Sequence, residues 1–140
     1  MKLYYFVKDM RLEDALGLIP VTILTFFFGS EFLGIPYDPY MILITAAMFP
    51  YLAFSLSINN YFDRKNDRNS SKIRKNPVAS GRLTEKEALA LPLLLAAAGL
   101  ALVAYSSQNL VLYSLFLLNG FLYSWKFKGR PVVDLISHGI

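Results

Sequence analysis

Four long runs of this chain carry almost no charge, and short charged blocks separate them. The runs fall at about residues 16–28, 40–58, 88–105 and 110–125, and the spans built on them at about 12–35, 38–60, 85–105 and 109–126. A membrane span needs roughly 20 mostly apolar residues. The second run meets that length unaided, the third and fourth meet it with their flanks, and the first meets it by including residues 29–35. A helix of a soluble bundle keeps a polar stripe toward water, and none of these runs has one. Pro20, Pro50, Pro92 and Gly99 lie inside the runs, where a membrane helix tolerates them and a soluble helix does not. Thr84-Glu85-Lys86-Glu87 predicts a capping box that opens the third helix, with Thr84 as N-cap and Glu87 three residues on. The fold class expected is all-α and integral to the membrane, with about four transmembrane helices. Pro131 opens the start of a fifth, which is truncated after about two turns.

Composition agrees with this pattern. Hydrophobic residues make up 55% of the 140 residues and charged ones 17%, against about a quarter charged in soluble domains. There is no cysteine, which excludes disulfides and thiolate metal sites. The basic residues ahead of the first run resemble the start of a signal peptide, but no small-x-small cleavage site follows, so that run is read as a span. With four spans, all 14 Lys and Arg residues fall on one side: the N-terminus, the 61–84 loop with its flanks, and the C-terminus. The far side holds Glu31 and Asp38. The positive-inside rule makes the basic side cytoplasmic. The cations lie against a membrane and beside acids, an arrangement that argues against nucleic acid as the partner.

Candidate chemistry concentrates where the second run ends. Asn59, Asp63 and Asp67 recur every fourth residue. If the helix continues past Ile58, they line one slowly turning face, about 6 Å apart along the axis. An amide oxygen and two carboxylates are hard ligands, and Mg²⁺ favours a few carboxylates together with waters and substrate phosphates. The spacing is too wide for three ligands to chelate one ion and suits a metal–diphosphate cluster. The same pattern also fits a solvated helix end whose acids are neutralised by Arg64, Lys65 and Arg68. The next segment, Lys72-Ile73-Arg74-Lys75-Asn76-Pro77-Val78-Ala79-Ser80-Gly81-Arg82, is basic and then turn-forming. Arg and Lys are the residues that meet phosphate oxygens.

These residues carry a resemblance. Asn59-Asn60-Tyr61-Phe62-Asp63-Arg64-Lys65-Asn66-Asp67 resembles the first aspartate-rich motif, N-D-x-x-D-x-x-x-D, of the UbiA family of intramembrane prenyltransferases, departing from it at Asn60. Asn76-Pro77-Val78-Ala79-Ser80-Gly81-Arg82 is similar to the family's P-(L/V)-x-S-G loop. Tyr123 to Lys128 resembles its Tyr-Ser…Lys segment, although Phe127 stands where the Tyr-x-x-x-Lys spacing puts the lysine. Lys126 and Lys128 are the candidates, and Lys128 is preferred.

The resemblance implies the first half of a nine-helix bundle, whose C-terminal half would hold a second aspartate motif. It implies transfer of an isoprenyl chain from its diphosphate to a lipophilic or aromatic acceptor, with Mg²⁺ as cofactor. Residue by residue, it implies metal ligation by Asn59, Asp63 and Asp67, phosphate contacts from Asn59, Arg64, Lys72 and Lys128, and stabilisation of a developing carbocation by Tyr123. Asp134 and His138 are read as structural. A CDP-alcohol phosphotransferase would need a glycine four residues before Asp63, where Asn59 stands. A membrane protein whose basic loop binds anionic lipid headgroups would explain the cations but not the aligned acids.

Overall fold

The structure, a computed structural model, describes residues 2–34 and 40–128. Five α-helices make up the fold: α1 (Lys2–Asp9), α2 (Leu12–Leu33), α3 (Met41–Arg68), α4 (Glu85–Val103) and α5 (Ser107–Leu122). A single 3₁₀ turn (Ser71–Arg74) and a π turn (Tyr123–Phe127) complete it. No strand occurs among the described residues. Helices α2, α3 and α4, together with α5 and its π turn, are long and apolar enough to cross a membrane. The expected fifth helix from residue 131, with Asp134 and His138, lies outside the described residues.

Local chemistry explains the boundaries. Arg11 adopts a left-handed conformation, φ 47°, and this break separates α1 from α2. Gly34, φ 62°, ends α2 in the conformation that glycine takes without steric penalty. Helix α4 starts at the capping box: Thr84 Oγ1 accepts from the Glu87 N–H at 3.2 Å, and Glu87 Oε2 accepts from the Thr84 N–H at 2.9 Å. Ser106 caps α5 by accepting from the Asn109 N–H.

Two expectations need correction. The loop bounded at 61–84 begins later than that: α3 runs on to Arg68, as the ladder spacing required, because nothing in Tyr61–Arg68 breaks a helix. The N-terminal flank, read only as a cationic approach to the first span, forms the separate helix α1.

At 1.5 Å per residue, the 28 residues of α3 measure about 42 Å, well beyond the roughly 30 Å of a hydrocarbon core. Its last turns therefore stand clear of the apolar layer. Helix α3 is central, packing most extensively on α4 and also against α2 and α5. The buried cluster is Ala47, Val103 and Tyr113, flanked by Met48, Tyr51, Leu100, Leu102 and Leu117. Tyr113 donates to the Ala47 carbonyl at 3.0 Å. Its ring needs the missing side chain of Gly99, where an added Cβ would lie 1.7 Å from the phenol oxygen.

Large apolar side chains such as Phe27, Phe32, Ile42, Leu93, Leu94 and Val111 point outward, as in a protein whose solvent is lipid. The two ends of the bundle differ. At one, Tyr40 and Tyr105 stack with ring centroids 4.6 Å apart. At the other, the charged segments meet.

Candidate active site

The charged end encloses an open cavity of about 890 Å³. One wall is the end of α3, where Asn59, Asp63 and Asp67 all line the space, as helical spacing requires. Facing them are Lys72, Lys75, Asn76 and Lys128. The three expected metal ligands and two of the three expected phosphate-binding cations therefore share one cavity.

Lys128 meets the ladder directly. Its Nζ donates to Asn59 Oδ1 at 2.8 Å and is paired with Asp63 Oδ2. The π turn explains why the lysine stands one position later than a Tyr-x-x-x-Lys spacing predicts. The Lys128 N–H bonds back to the Tyr123 carbonyl at 3.0 Å, five residues earlier, so the wider turn takes up the additional residue. Tyr123 thus holds Lys128 through its main chain. Its side chain is not part of the cavity lining.

Asp67 is oriented by Asn76, a residue with no separate role in the sequence reading. Asn76 Nδ2 donates to Asp67 Oδ2 at 3.0 Å and to the Asn60 carbonyl at 2.8 Å. Its Oδ1 accepts from the Val78 and Ala79 N–H groups at 3.0 and 3.1 Å. Asn76 is 2% exposed and spends its full bonding capacity on one turn, one carboxylate and one main-chain carbonyl of α3. Beyond it, the Pro77 carbonyl accepts from the N–H groups of Arg82 and Leu83, and Gly81 takes φ 71°. Pro-x-x-Ser-Gly is therefore a folded plug under the site. The signal available in sequence was the Asn-Pro pair itself, since Asn side chains cap turns of this kind.

Arg64 is placed elsewhere. Its guanidinium forks onto Glu85, Nε–Oε1 3.0 Å and Nη2–Oε2 3.1 Å, donates to the Tyr61 carbonyl at 2.7 Å, and lies 4.0 Å over the Tyr61 ring. One residue is about 100° around a helix, which turns Arg64 off the Asp63 face toward the start of α4. Arg64, from which a phosphate contact was expected, does not line the cavity. Lys65 and Arg68 are exposed.

Helix α1 supplies a wall that the sequence did not reveal. Tyr4, Val7 and Lys8 of α1 line the cavity, and after them Arg11, paired with Asp14, together with Glu13 at the start of α2. Asp9, fully buried, accepts from Asn60 Nδ2 at its carbonyl and at Oδ1, both 3.1 Å. Burial pushes the Asp9 carboxyl up to about 6, against the hydrogen bond from Asn60 and the nearby Ser57, which lower it. The Ser57 hydroxyl is near enough to help hold the charge yet makes no hydrogen bond of normal geometry, and Asp9 Oδ2 accepts none among the described residues. The departure from the aspartate-rich pattern at Asn60 is thus a tertiary contact, with an amide where a second carboxylate would face Asp9.

Whether a divalent cation fits can be judged from the donors. Asn59 Oδ1 and Asp63 Oδ2 converge on one cationic nitrogen, so a single small cation can be shared by the same two oxygens. Among the described residues no group of three His, Cys, Asp or Glu side chains closes around one point. Such a donor set leaves most of the coordination shell to water and phosphate, the mode Mg²⁺ prefers.

The fold is that of an all-helical membrane bundle, with an acid-and-amide ladder opposite a basic loop at one end. The chain belongs to the UbiA prenyltransferase family, matching it over residues 18–140. Among curated proteins it is similar to a 4-hydroxybenzoate octaprenyltransferase of Ectopseudomonas mendocina (strain ymp), 29% identical over 109 residues. That alignment covers 76% of this chain and 36% of the relative, so the chain spans about a third of the relative's length. No solved structure matches it.

Proposed function

We propose that this chain forms the diphosphate-binding part of a Mg²⁺-dependent prenyltransferase. The reaction moves an isoprenyl group from its diphosphate to a lipophilic or aromatic acceptor. The bond from the prenyl C1 to the diphosphate oxygen breaks, a bond from C1 to the acceptor forms, the acceptor loses a proton, and pyrophosphate leaves. The observation that carries this reading is the convergence of Asn59 and Asp63 on Lys128 at the mouth of a cavity lined by Lys72 and Lys75.

Asn59, Asp63 and Asp67 would hold Mg²⁺, which when bound neutralises charge on the diphosphate and makes it a better leaving group. Lys72, Lys75 and Lys128 place fixed cations where negative charge grows on the leaving oxygens. Asn76 keeps Asp67 turned toward the cavity. Tyr123 contributes by holding Lys128 through its main-chain carbonyl. The apolar body of the donor lies against the helices, away from water that would otherwise capture the cation. The basic end faces the cytoplasm, following the positive-inside rule. Headgroup binding alone would leave the Asn59–Asp63 pair without a role.

The test is Asp63→Ala in the full-length protein. Mg²⁺-dependent prenyl transfer is expected to fall by at least about a hundredfold, with the melting temperature retained. Wild-type turnover by this variant would refute the assignment.

A further inference from the structure

Helix α1 inverts the usual economy of a surface helix. Leu3 and Tyr4 are 75% and 61% exposed, whereas the acidic Asp9 is completely buried. Burying a carboxylate is unfavourable unless partners repay it, and here one oxygen accepts no hydrogen bond of normal geometry among the described residues. Such a residue is kept for where it holds the chain. Its partner Asn60 adjoins Asn59, at the first rung of the ladder.

Three further contacts tie the same helix down. Lys2 pairs with Glu87 at the start of α4 (2.6 Å), Lys8 donates to the Arg74 carbonyl of the 3₁₀ turn (2.8 Å), and Arg82 lies 5.0 Å over the Tyr5 ring. Helix α1 therefore crosses from α3 to α4 over the loop, with Lys8 and Arg11 in the cavity wall.

We propose that Asp9 is a positioning residue for the diphosphate site. By seating on Asn60 it clamps α1 across the cavity and fixes Lys8 in the wall opposite the ladder, ahead of the Arg11–Asp14 pair. This proposal rests on the reading of the cavity as a diphosphate site, and its physical basis is simple. The other pins of α1 are exposed and individually weak, whereas the Asp9–Asn60 contact is buried and two-pronged.

The experiment compares Asp9→Ala, Asp9→Asn and Lys2→Ala in the full-length protein in detergent, by hydrogen exchange and by binding of inorganic pyrophosphate in the presence of Mn²⁺. Asp9→Ala is expected to speed exchange of the α1 amides about tenfold, with α3 to α5 unchanged. It is also expected to weaken pyrophosphate binding about fivefold. Asp9→Asn, which keeps an acceptor for the Asn60 amide, stays near wild type in both, and Lys2→Ala changes neither by more than about twofold. Should Asp9→Ala fail to fold, the isosteric Asn60→Asp sets two carboxylates face to face and loosens α1 without opening a void. Wild-type exchange in α1 with either variant overturns the clamp, and loosened exchange with unchanged pyrophosphate affinity overturns the positioning role. If the wild-type protein itself binds no pyrophosphate, the reading of the cavity fails, while the exchange data still decide whether Asp9 holds α1.

Discussion

Asn76 and Asp9 show how much a single buried polar side chain can decide. Asn76→Ala removes two donors' worth of support from Asp67 and the Asn60 carbonyl and strips the acceptor from Val78 and Ala79. Leaving buried N–H groups unsatisfied costs about 1–3 kcal/mol each, so the melting temperature should fall well beyond what one alanine substitution gives on a surface. Asp9 makes stability depend on pH, and the direction follows from its raised pKa. The folded protein holds the Asp9 proton up to about pH 6 and the unfolded chain releases it near 4. Its contribution is therefore complete below about pH 4 and is lost as pH rises through 6, on the order of 3 kcal/mol in all. Thermal melts at acidic and neutral pH should show this slope in the wild type and its absence in Asp9→Asn.

Among the elements, the helices were legible in the sequence and their mutual contacts were not. The spans follow from uncharged length, and the α4 start from a capping box four residues long, because both signals are local. The continuation of α3 past the apolar layer followed from the ladder itself. What escaped was set by partners far along the chain. Asn60 meets Asp9 across 51 residues and Arg64 meets Glu85 across 21, so no window of sequence contained either pair. Arg64 carried the right charge for phosphate and the wrong helical angle. The α3–α4–α5 packing offers its own test at Gly99, where alanine would drive a methyl group into the Tyr113 ring. Gly99→Ala should destabilise by about 1–3 kcal/mol. Pairing it with Tyr113→Ala should be strongly non-additive, as denaturation of the four proteins of that cycle would show.

At the scale of the molecule, the fold separates two tasks. The bundle presents apolar side chains outward along its length, and one end gathers Asn59, Asp63, Asp67, Lys72, Lys75 and Lys128 around one cavity. The aspartate-rich motif and the basic loop were readable as partners because they follow one another in the chain. Lys128, 65 residues from Asp63, was readable only through its resemblance to a family pattern, and its register needed the π turn to be seen.

The pairing of Lys128 with Asn59 and Asp63 has one more consequence. An ammonium and a divalent ion cannot occupy the same pair of oxygens together, so on the proposed reading Asn59 and Asp63 would hold a metal only with the Lys128 ammonium displaced. A diphosphate arriving with its ion would draw that ammonium onto its own oxygens, making entry of the ion and release of the lysine a single exchange. Lys128→Met should therefore take up Mn²⁺ alone more readily than wild type yet hold Mn²⁺-pyrophosphate less tightly, and titrations of the two ligands on one preparation would reveal that crossing.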